Sequence, residues 1–376
     1  MNLLEHEGKN LLSQRKVAVP RGEVAMDPSQ AAEIASRLDC ELMVKAQVRT
    51  GRRGRQGGVM TASSPSETEE AAEALLKSKI GGLPVESVLV EERVWPEREL
   101  YAGVTLDRGR RSVSVLLSAR GGVDVENSGA VPQIRCDGVE PLWPHRFVGL
   151  GREAGLKGEL LARVAETMLW LTRCFWDLDA TTAEINPLAV MPDGGLMALD
   201  AKMVIDDFAL FRQADLARIE RGMYSEEERK ARDSGADYVP LEGGEVGIIA
   251  GGAGLGMATM DVLCALGAEP AAFFDLGGAV TEDRMASALR IVSSAPGVKG
   301  IIINAFGGIT NCEIMARGIS DVVRGGGLRQ PLVVKMRGHS QEKGWELLTG
   351  VGVSVVKLGT TGEAVAGLLK MMESAR

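Results

Sequence analysis

Three oxygen-bearing side chains lie close together in a segment whose pattern predicts a β-hairpin. Glu184, Asn186 and Asp200 belong to AEINPLAVMPDGGLMALDAKM, in which alternating apolar runs flank the turn signal Asp193-Gly194. Folding the chain about that turn brings Asn186 to within one residue of direct opposition to Asp200, where paired side chains are roughly 5 Å apart. Glu184 lies two residues before Asn186 and points to the same face.

Carboxylate and amide oxygens are hard ligands of the kind that Mg²⁺ takes beside nucleotide phosphates. The hairpin therefore predicts a magnesium site at Asn186 and Asp200. The alternative, in which both side chains only satisfy turn backbone, is disfavoured because both lie inside strands.

A glycine- and arginine-rich segment follows a predicted strand. TGRRGRQGG carries Arg52, Arg53 and Arg55, and Lys45 lies near the end of the preceding strand, ELMVKAQV. Backbone N–H and guanidinium groups of such a loop can surround phosphates, with the lysine ammonium as a point charge. From these residues alone, a disordered basic loop is an equal alternative. The chain contains no GxxxxGK[ST], so the segment is not a P-loop.

Two carboxylates, Glu91 and Glu99, lie in the segment EERVWPEREL. Near a nucleotide they could accept hydrogen bonds from ribose hydroxyls or an adenine amino group. Taken alone, two surface carboxylates are the simpler interpretation. A nucleotide-binding role for the pair is supported only by the neighbouring motifs.

Two glycine-rich turns follow predicted strands of the second half. GGAGLG (residues 251–256) comes directly after VGIIA, and FGGIT (residues 306–310) follows GIIIN. Such turns expose N–H groups at a helix start, at the sheet edge where ligands of parallel sheets bind, although they also occur where a βα turn simply needs positive φ. With Asp275 ending the next strand, the first turn imitates a dinucleotide-binding unit, so an NAD-dependent oxidoreductase is a competing interpretation.

The three histidines, His6, His145 and His339, occur in unrelated contexts. None is flanked by the small residues that would expose a nucleophilic imidazole. We expect surface or structural roles for them and no covalent phosphate carrier in this chain.

The elements that position these residues divide into two predicted domains, residues 1–238 and 239–376. In the second, the runs VGIIA, AAFFD, GIIINAF, PLVVKM and VSVVKL alternate with helix-like runs, which predicts a flavodoxin-like domain with a five-stranded parallel sheet. The first combines helices with mostly antiparallel strands, an α+β pattern within an α/β chain. SGADYVPLEGG is the predicted seam, and SEEERKARD before it is predicted to be a solvated helix.

Composition limits the classes of function. The net charge of -8 over 376 residues disfavours a nucleic-acid-binding surface. The five cysteines are scattered without a CxxC pair, which favours a reducing interior without disulfides or zinc. No secretory signal and no run of about 18 apolar residues is visible. We expect a cytoplasmic bacterial protein with no nucleic-acid or membrane partner.

Taken together, the motifs resemble those of the β subunit of succinyl-CoA synthetase, the ADP-forming succinate–CoA ligase. The similar segments are MNLLEHEGKNLL, VKAQV with GRRGRQGG, LVEE with ELYAGV, EINPL with LDAK, GGAGLGMATMD and NAFGGI, and they span essentially the whole chain. The resemblance implies an ATP-grasp fold followed by a CoA-ligase domain. It also implies reversible conversion of ATP, succinate and CoA to ADP, phosphate and succinyl-CoA. The phosphoryl group would pass through a phosphohistidine on a separate α subunit, which also carries the CoA site.

The resemblance further implies residue roles. Glu184 would orient the visiting histidine, and Asn186 and Asp200 would hold Mg²⁺. ATP, as substrate, would be bound by Lys45, Arg52, Arg53, Gly54, Glu91, Val94 and Glu99. The acid and phosphate would be bound by Gly251, Gly308, Ile309 and Thr310. Pro20 favours ATP, since members that prefer GTP tend to carry Gln there. The assembly would be αβ or (αβ)₂.

The sequence departs from the family pattern at several positions. In the phosphate loop, Arg52 and Arg55 replace Gly and Lys. Gly251 replaces an Asn assigned to the organic acid, Ala279 replaces a Gly, and KMRGHS replaces RLEGNN or RLEGTN. Loss of an amide at the acid site changes which acid fits, so malate or another small dicarboxylate is an alternative to succinate. A catalytically silent regulatory paralogue is a further alternative, against which the retained Lys45 and its partners argue.

Overall fold

The computed structural model describes residues 1–51, 53–122, 131–136, 143–308 and 311–375. The chain divides into two compact units, Met1–Ala217 and Arg218–Arg376. Within the described ranges, no helix is both long enough and apolar enough to cross a bilayer.

The first unit combines helices with antiparallel strands, as its pattern predicts. Its helices are α1 (Glu5–Ser13), α2 (Pro28–Leu38), α3 (Pro65–Leu76), α4 (Pro144–Glu153), α5 (Gly158–Asp177) and α6 (Ala214–Gly222), the last running past the boundary. Its strands are β1 (Gly22–Ala25), β2 (Leu42–Ala46), β3 (Val59–Ala62), β4 (Lys79–Ile80), β5 (Leu83–Pro84), β6 (Val88–Glu92), β7 (Arg98–Asp107), β8 (Ser112–Ser118), β9 (Gln133–Cys136), β10 (Ala180–Val190), β11 (Leu196–Ala198) and β12 (Ala201–Ile205). Short 3₁₀ turns cover Arg53–Gln56 and Asp207–Arg212.

A small sheet in the order β1-β6-β2-β3 packs against α2 and α3. Each helix begins at a capping side chain followed by proline: Asp27 accepts a hydrogen bond from the N–H of Gln30, and Ser64 accepts one from the N–H of Glu67. Apolar residues of both layers form one core that includes Ala25, Ile34, Leu42, Val44, Leu75, Val88 and Val90.

The central strands of this sheet place two charged side chains on one face. Lys45 of β2 opposes Leu89 of β6, and Glu91 opposes Met43. Lys45 and Glu91 are therefore diagonal cross-strand neighbours, within reach of each other.

The second sheet of this unit has the order β11-β10-β7-β8-β9, with β12 also paired to β10. The predicted hairpin is confirmed, but its second arm is interrupted at Leu199 and Asp200, so Asp200 lies between β11 and β12 and not inside a strand as predicted. Leu188 opposes Ala198 and Ile185 opposes Ala201, and this register puts Asn186 directly opposite Asp200.

The second unit is a mixed sheet with helices on both faces. Its helices are α7 (Glu226–Asp233), α8 (Ala253–Ala265), α9 (Glu282–Ser294), α10 (Cys312–Arg324), α11 (Gln341–Gly350) and α12 (Thr361–Ser374). Its strands are β13 (Asp237–Pro240), β14 (Val246–Ala250), β15 (Pro270–Asp275), β16 (Gly300–Gly307), β17 (Leu332–Gly338) and β18 (Ser354–Val355), in the order β13-β15-β14-β16-β17-β18. The five predicted parallel strands are confirmed. β15 and β16, the two strands that follow β14 in the chain, pair with it on opposite sides. The turns after β14 and β16 therefore lie at the same carboxyl edge, where ligands of such sheets bind.

The sheet of the second unit contains one strand that the sequence pattern does not predict. Among the described residues it therefore has six strands rather than five. β13 pairs antiparallel with β15, with Tyr238 opposite Phe274. The segment DYVP looks like a linker because it is short and contains Pro240, but proline is tolerated in an edge strand. The predicted boundary after residue 238 stays a prediction. A cut there would pass through β13, whereas the contacts divide the chain after Ala217.

Candidate functional site

Lys45, at the end of β2, lies in a buried cluster of charges. Its Nζ is 2.6 Å from Glu91 Oε1 and 3.0 Å from Glu5 Oε1. It also donates a hydrogen bond of 2.7 Å to the backbone oxygen of Leu199, just before β12. The ammonium therefore joins the small sheet to the α1 helix and to the hairpin.

Arg53 connects the same cluster to the predicted metal ligand. Its guanidinium pairs with Glu5, lies 3.1 Å from Asp200 Oδ1, and donates to the backbone oxygen of Ala46 at 3.1 Å. Its side chain is buried. The arginine predicted to bind phosphate therefore has a fixed position within the first unit.

The helix α1 supplies two members of the cluster that the sequence patterns did not single out, Glu5 and Lys9. Lys9 Nζ is 2.8 Å from Glu5 Oε1, and 2.9 and 2.7 Å from the two carboxylate oxygens of Glu91. Glu5 and Lys9 are each only 4% exposed. The i,i+4 spacing in EHEGK is a signal for an ion pair, but such a pair is normally expected on a helix surface.

The cluster keeps its charges by mutual compensation. Burial alone would raise the pKa of Glu5, but the positive charges of Lys45, Lys9 and Arg53 outweigh burial and hold that pKa well below its ordinary value. Burial lowers the pKa of Lys9 despite its two carboxylate partners. For Lys45 the balance is opposite, since burial is outweighed by Glu5 and Glu91 and the pKa rises. The two carboxylates thus favour the charged form of Lys45 beside the hairpin.

The hairpin presents its two predicted metal ligands side by side. Asn186 Oδ1 accepts a 2.7 Å hydrogen bond from the N–H of Gly122, and its Nδ2 donates to the Gly122 oxygen at 3.2 Å. Asp200 Oδ1 accepts a 2.7 Å bond from the N–H of Ala201, and its side chain is 40% exposed. Although part of this side chain meets solvent, desolvation of the carboxylate by the surrounding protein, followed by the negative charge of Glu5, raises the pKa of Asp200 against the opposing effect of Arg53.

One carboxylate and one amide oxygen fit Mg²⁺, which usually takes one or two protein carboxylates and completes its shell with phosphates and water. Among the described residues, no three His, Cys, Asp or Glu side chains are grouped to hold a metal on their own. The donor set therefore suits a metal that arrives with a nucleotide.

Glu184, the predicted catalytic residue, lines a pocket of about 240 Å³ on the sheet of the first unit that contains β7, β10 and β12. Lys202 lies directly opposite it on β12, and Tyr101, Thr105 and Thr182 complete the polar wall. Alternation along β10 places Glu184 away from the core, because its neighbours Ala183 and Ile185 are fully buried.

Among the other predicted nucleotide residues, the structure describes Gly54, Val94 and Glu99, which are not members of the cluster. Gly54 lies in the 3₁₀ turn, where a Cβ atom would meet no other heavy atom within 4 Å. Val94 is half-buried between β6 and β7, and Glu99 is exposed on β7. Arg52 lies outside the described residues. The structure thus brings together Lys45, Arg53, Glu91 and Asp200.

The second unit places Gly251 and Gly308 just after β14 and β16, two adjacent parallel strands. The N–H of Gly251 donates to the backbone oxygen of Asn304 at 3.2 Å, and the N–H of Gly308 to that of Phe306 at 3.1 Å. Ile309 and Thr310 lie outside the described residues.

Asp275 closes the first glycine-rich turn. Its Oδ1 accepts hydrogen bonds from the N–H groups of Gly252 and Gly277, at 3.0 and 2.9 Å. Because the carboxylate stabilises the turn itself, it has a structural role that does not require a ribose.

Two family models match the chain: an ATP-grasp domain over residues 2–190 and a CoA-ligase over residues 249–369. The β subunit of the GDP-forming succinate–CoA ligase of Thermus thermophilus is 40% identical over 385 residues, which cover 100% of each chain. The β subunit of the ADP-forming succinate–CoA ligase of Chloroflexus aurantiacus is 40% identical, with 93% of each chain covered. The chain belongs to the succinate–CoA ligase β-subunit family.

Membership of this succinate–CoA ligase family confirms the predicted ATP-grasp and CoA-ligase organisation and the reaction class of an acid–thiol ligase that uses ATP. A β subunit also implies a partner subunit. The interpretation as an NAD-dependent oxidoreductase is wrong, since the GGAGLG turn lies in the CoA-ligase match. The ATP citrate lyase of Methanothrix soehngenii, solved with citrate and coenzyme A, has the same fold, with a TM-score of 0.76 at 19% identity over 98% of this chain and 99% of that one.

Proposed function

We propose that the chain is the β subunit of an ADP-forming acid–CoA ligase whose reaction passes through a phosphohistidine on a separate α subunit. ATP would phosphorylate the histidine, the phosphohistidine would pass its phosphoryl group to the acid, and the CoA thiol would displace phosphate from the acyl phosphate. The observation that carries the proposal is the contact network of Lys45, Arg53, Glu91 and Asp200 beside Asn186. Phosphoryl transfer depends on positioning and on neutralising charge, and this network supplies both.

Each group has a role that its position supports. Lys45 and Arg53 would neutralise the phosphate oxygens, and Glu91 would accept hydrogen bonds from the nucleoside. Asn186 and Asp200 would hold Mg²⁺, whose bound chemistry is to draw charge from the phosphates. Glu184 would orient the partner's imidazole, which its polar pocket could admit. Pro20 favours ATP over GTP as the nucleotide.

The acid would be bound at the carboxyl edge of the parallel sheet, by Gly251, Gly308, Ile309 and Thr310. Succinate is the proposed acid, and malate is the second candidate because Gly251 lacks the amide of other family members. The absence of a side chain there is not forced by crowding: a Cβ at Gly251 would meet its nearest atoms, those of Ala305 and Phe306, at an ordinary 3.7 Å. The position is therefore free to change acid selectivity without changing the fold.

The test uses the full chain co-expressed with the α subunit encoded nearest to it. CoA-, ATP- and Mg²⁺-dependent thioester formation would be measured with succinate, malate, itaconate, glutarate and acetate. We expect the highest kcat/KM with succinate. A maximum with malate would reassign the acid, and a stable complex without turnover on any acid would point to a regulatory paralogue instead.

The metal assignment has its own test in Asp200→Ala. We expect Mg²⁺-dependent turnover to fall by more than about 100-fold, and Mg²⁺ to lose its effect on ADP binding, because a direct ligand is removed. The fold should be retained, since the Asp200 side chain is 40% exposed. Asp193→Ala, at the turn of the same hairpin, is the matched control and should keep both properties. Unchanged Mg²⁺ dependence in Asp200→Ala would remove this residue from the metal site.

A further inference from the structure

The ammonium of Lys45 is surrounded by three protein oxygens in the described arrangement. A lysine ammonium carries three N–H donors. The ammonium donates hydrogen bonds to Glu5 Oε1 at 3.0 Å and to the Leu199 backbone oxygen at 2.7 Å, and it forms an ion pair with Glu91 Oε1 at 2.6 Å. A nucleotide phosphate that binds Lys45 therefore competes with these partners for the ammonium.

Releasing a carboxylate inside the protein is costly unless another cation remains beside it. Lys9 meets this requirement. It contacts both oxygens of Glu91, at 2.9 and 2.7 Å, and Glu5 Oε1 at 2.8 Å, with its own side chain 5% exposed. Both carboxylates that hold Lys45 are therefore already paired with a second ammonium.

The charges of the cluster also balance. Lys9, Lys45 and Arg53 face Glu5, Glu91 and Asp200, three positive groups and three negative ones. Without Lys9, two cations would face three carboxylates. Incoming phosphates would then meet net negative charge, and Lys45 would be held more strongly by its carboxylates.

We propose that Lys9 is a positioning residue for nucleotide binding: it retains Glu5 and Glu91 while Lys45 exchanges them for a phosphate. Lys9 itself does not touch the nucleotide. This inference rests on the proposed nucleotide-binding function and adds a residue to it.

The test measures ADP binding to the full-length chain by isothermal titration calorimetry in magnesium-free buffer. Lys9→Met keeps the length of the side chain and removes its charge, and we expect the Kd for ADP to rise by about tenfold or more. In the assembled enzyme, the KM for ATP should rise while the KM values for the acid and CoA stay unchanged.

A double variant separates this role from direct phosphate binding. Lys9→Met with Glu5→Gln leaves two cations facing two carboxylates, so ADP binding should return to within about threefold of wild type. Lys77→Met is the matched control, because Lys77 forms an i,i+4 pair with Glu73 on the surface of α3. Its Kd should not change.

The outcomes are distinct. An unchanged Kd in Lys9→Met overturns the proposal, and so does a double variant that binds as weakly as the single one, because Lys9 would then be a direct ligand. If Lys9→Met does not fold, the double variant alone decides: binding near wild type supports the exchange, and lost binding overturns it. If the wild-type chain does not bind ADP, the proposed function fails first.

Discussion

The ionised side chains of the first unit differ in how much their pairing contributes to stability. Those around Lys45 are buried, and removing one partner would leave an uncompensated charge, at a cost of about 3–5 kcal/mol. Asp179 and Arg212 form a pair nearer the surface, with side chains 20% and 59% exposed. Such a pair contributes about 1 kcal/mol or less, because water competes for both groups.

Asp179 offers a pH test at the scale of one residue. Hydrogen bonds from Arg212 hold its pKa below the ordinary value of 3.8, against a smaller raising effect of burial, and Gln213 adds to the lowering. A carboxyl group whose pKa is lower in the folded than in the unfolded protein stabilises the fold at pH values above its unfolded-state pKa. This contribution is lost as the pH falls through the folded-state pKa. We expect Asp179→Asn to lower the free energy of unfolding by about 1 kcal/mol at neutral pH, with the difference shrinking below about pH 3.8.

Urea denaturation at a series of pH values measures this difference. Arg212→Gln is the control, since it removes the same interaction and should cost about as much, with the double variant no worse than either single one. A difference that stays constant down to the lowest pH would show that the lost contribution does not depend on the charge of Asp179.

At the scale of elements, the local sequence pattern is sufficient to predict a contact when the contacting residues are close together in the chain. The turn at Asp193-Gly194 fixes the register that brings Asn186 opposite Asp200. It was insufficient for Glu5 and Lys9, whose partners Lys45 and Glu91 lie 40 and 82 residues further along the chain. An i,i+4 charge pair looks the same in the sequence whether its helix faces water or a sheet.

The glycines of the GGAGLG segment show how closely helix α8 packs against strand β15 in the second unit. In α8, a Cβ on Gly256 would lie 2.2 Å from a ring carbon of Phe273 on β15, whereas a Cβ on Gly254 would meet nothing within 4 Å. We expect Gly256→Ala to lower the free energy of unfolding by about 1–3 kcal/mol through overpacking. Gly254→Ala, on the same helix, should be neutral or stabilising by up to about 1 kcal/mol. Urea denaturation of both variants checks this, and equal values would mean that α8 moves away from β15 without cost.

At the scale of the molecule, the two units carry different parts of the proposed site. The first holds the charge cluster and the hairpin, and the second holds the glycine-rich turns at the carboxyl edge of its sheet. Experiments on either part depend on a boundary that leaves each core whole. The contacts divide the chain after Ala217, whereas the sequence pattern predicts a boundary after residue 238.

Three residues between positions 218 and 238 belong to the core of the second unit. Ala231, Ala236 and Tyr238 are buried in the same cluster as Phe274, and the rings of Tyr238 and Phe274 are 6.4 Å apart between centroids. A fragment that starts at residue 239 loses all three residues and the first half of β13. It also exposes the edge of β15.

We therefore expect the fragment 218–376 to unfold cooperatively, and the fragment 239–376 to be less stable by on the order of 3–5 kcal/mol, the cost of losing a large buried side chain with its packing. Urea denaturation followed by far-ultraviolet circular dichroism compares the two. Tyr238→Ala in the longer fragment is the matched control and should lose part of the same free energy, because it removes the ring but keeps the strand. If the two fragments are equally stable, the boundary lies where the sequence pattern predicts it, and β13 contributes nothing to the fold of the CoA-ligase unit.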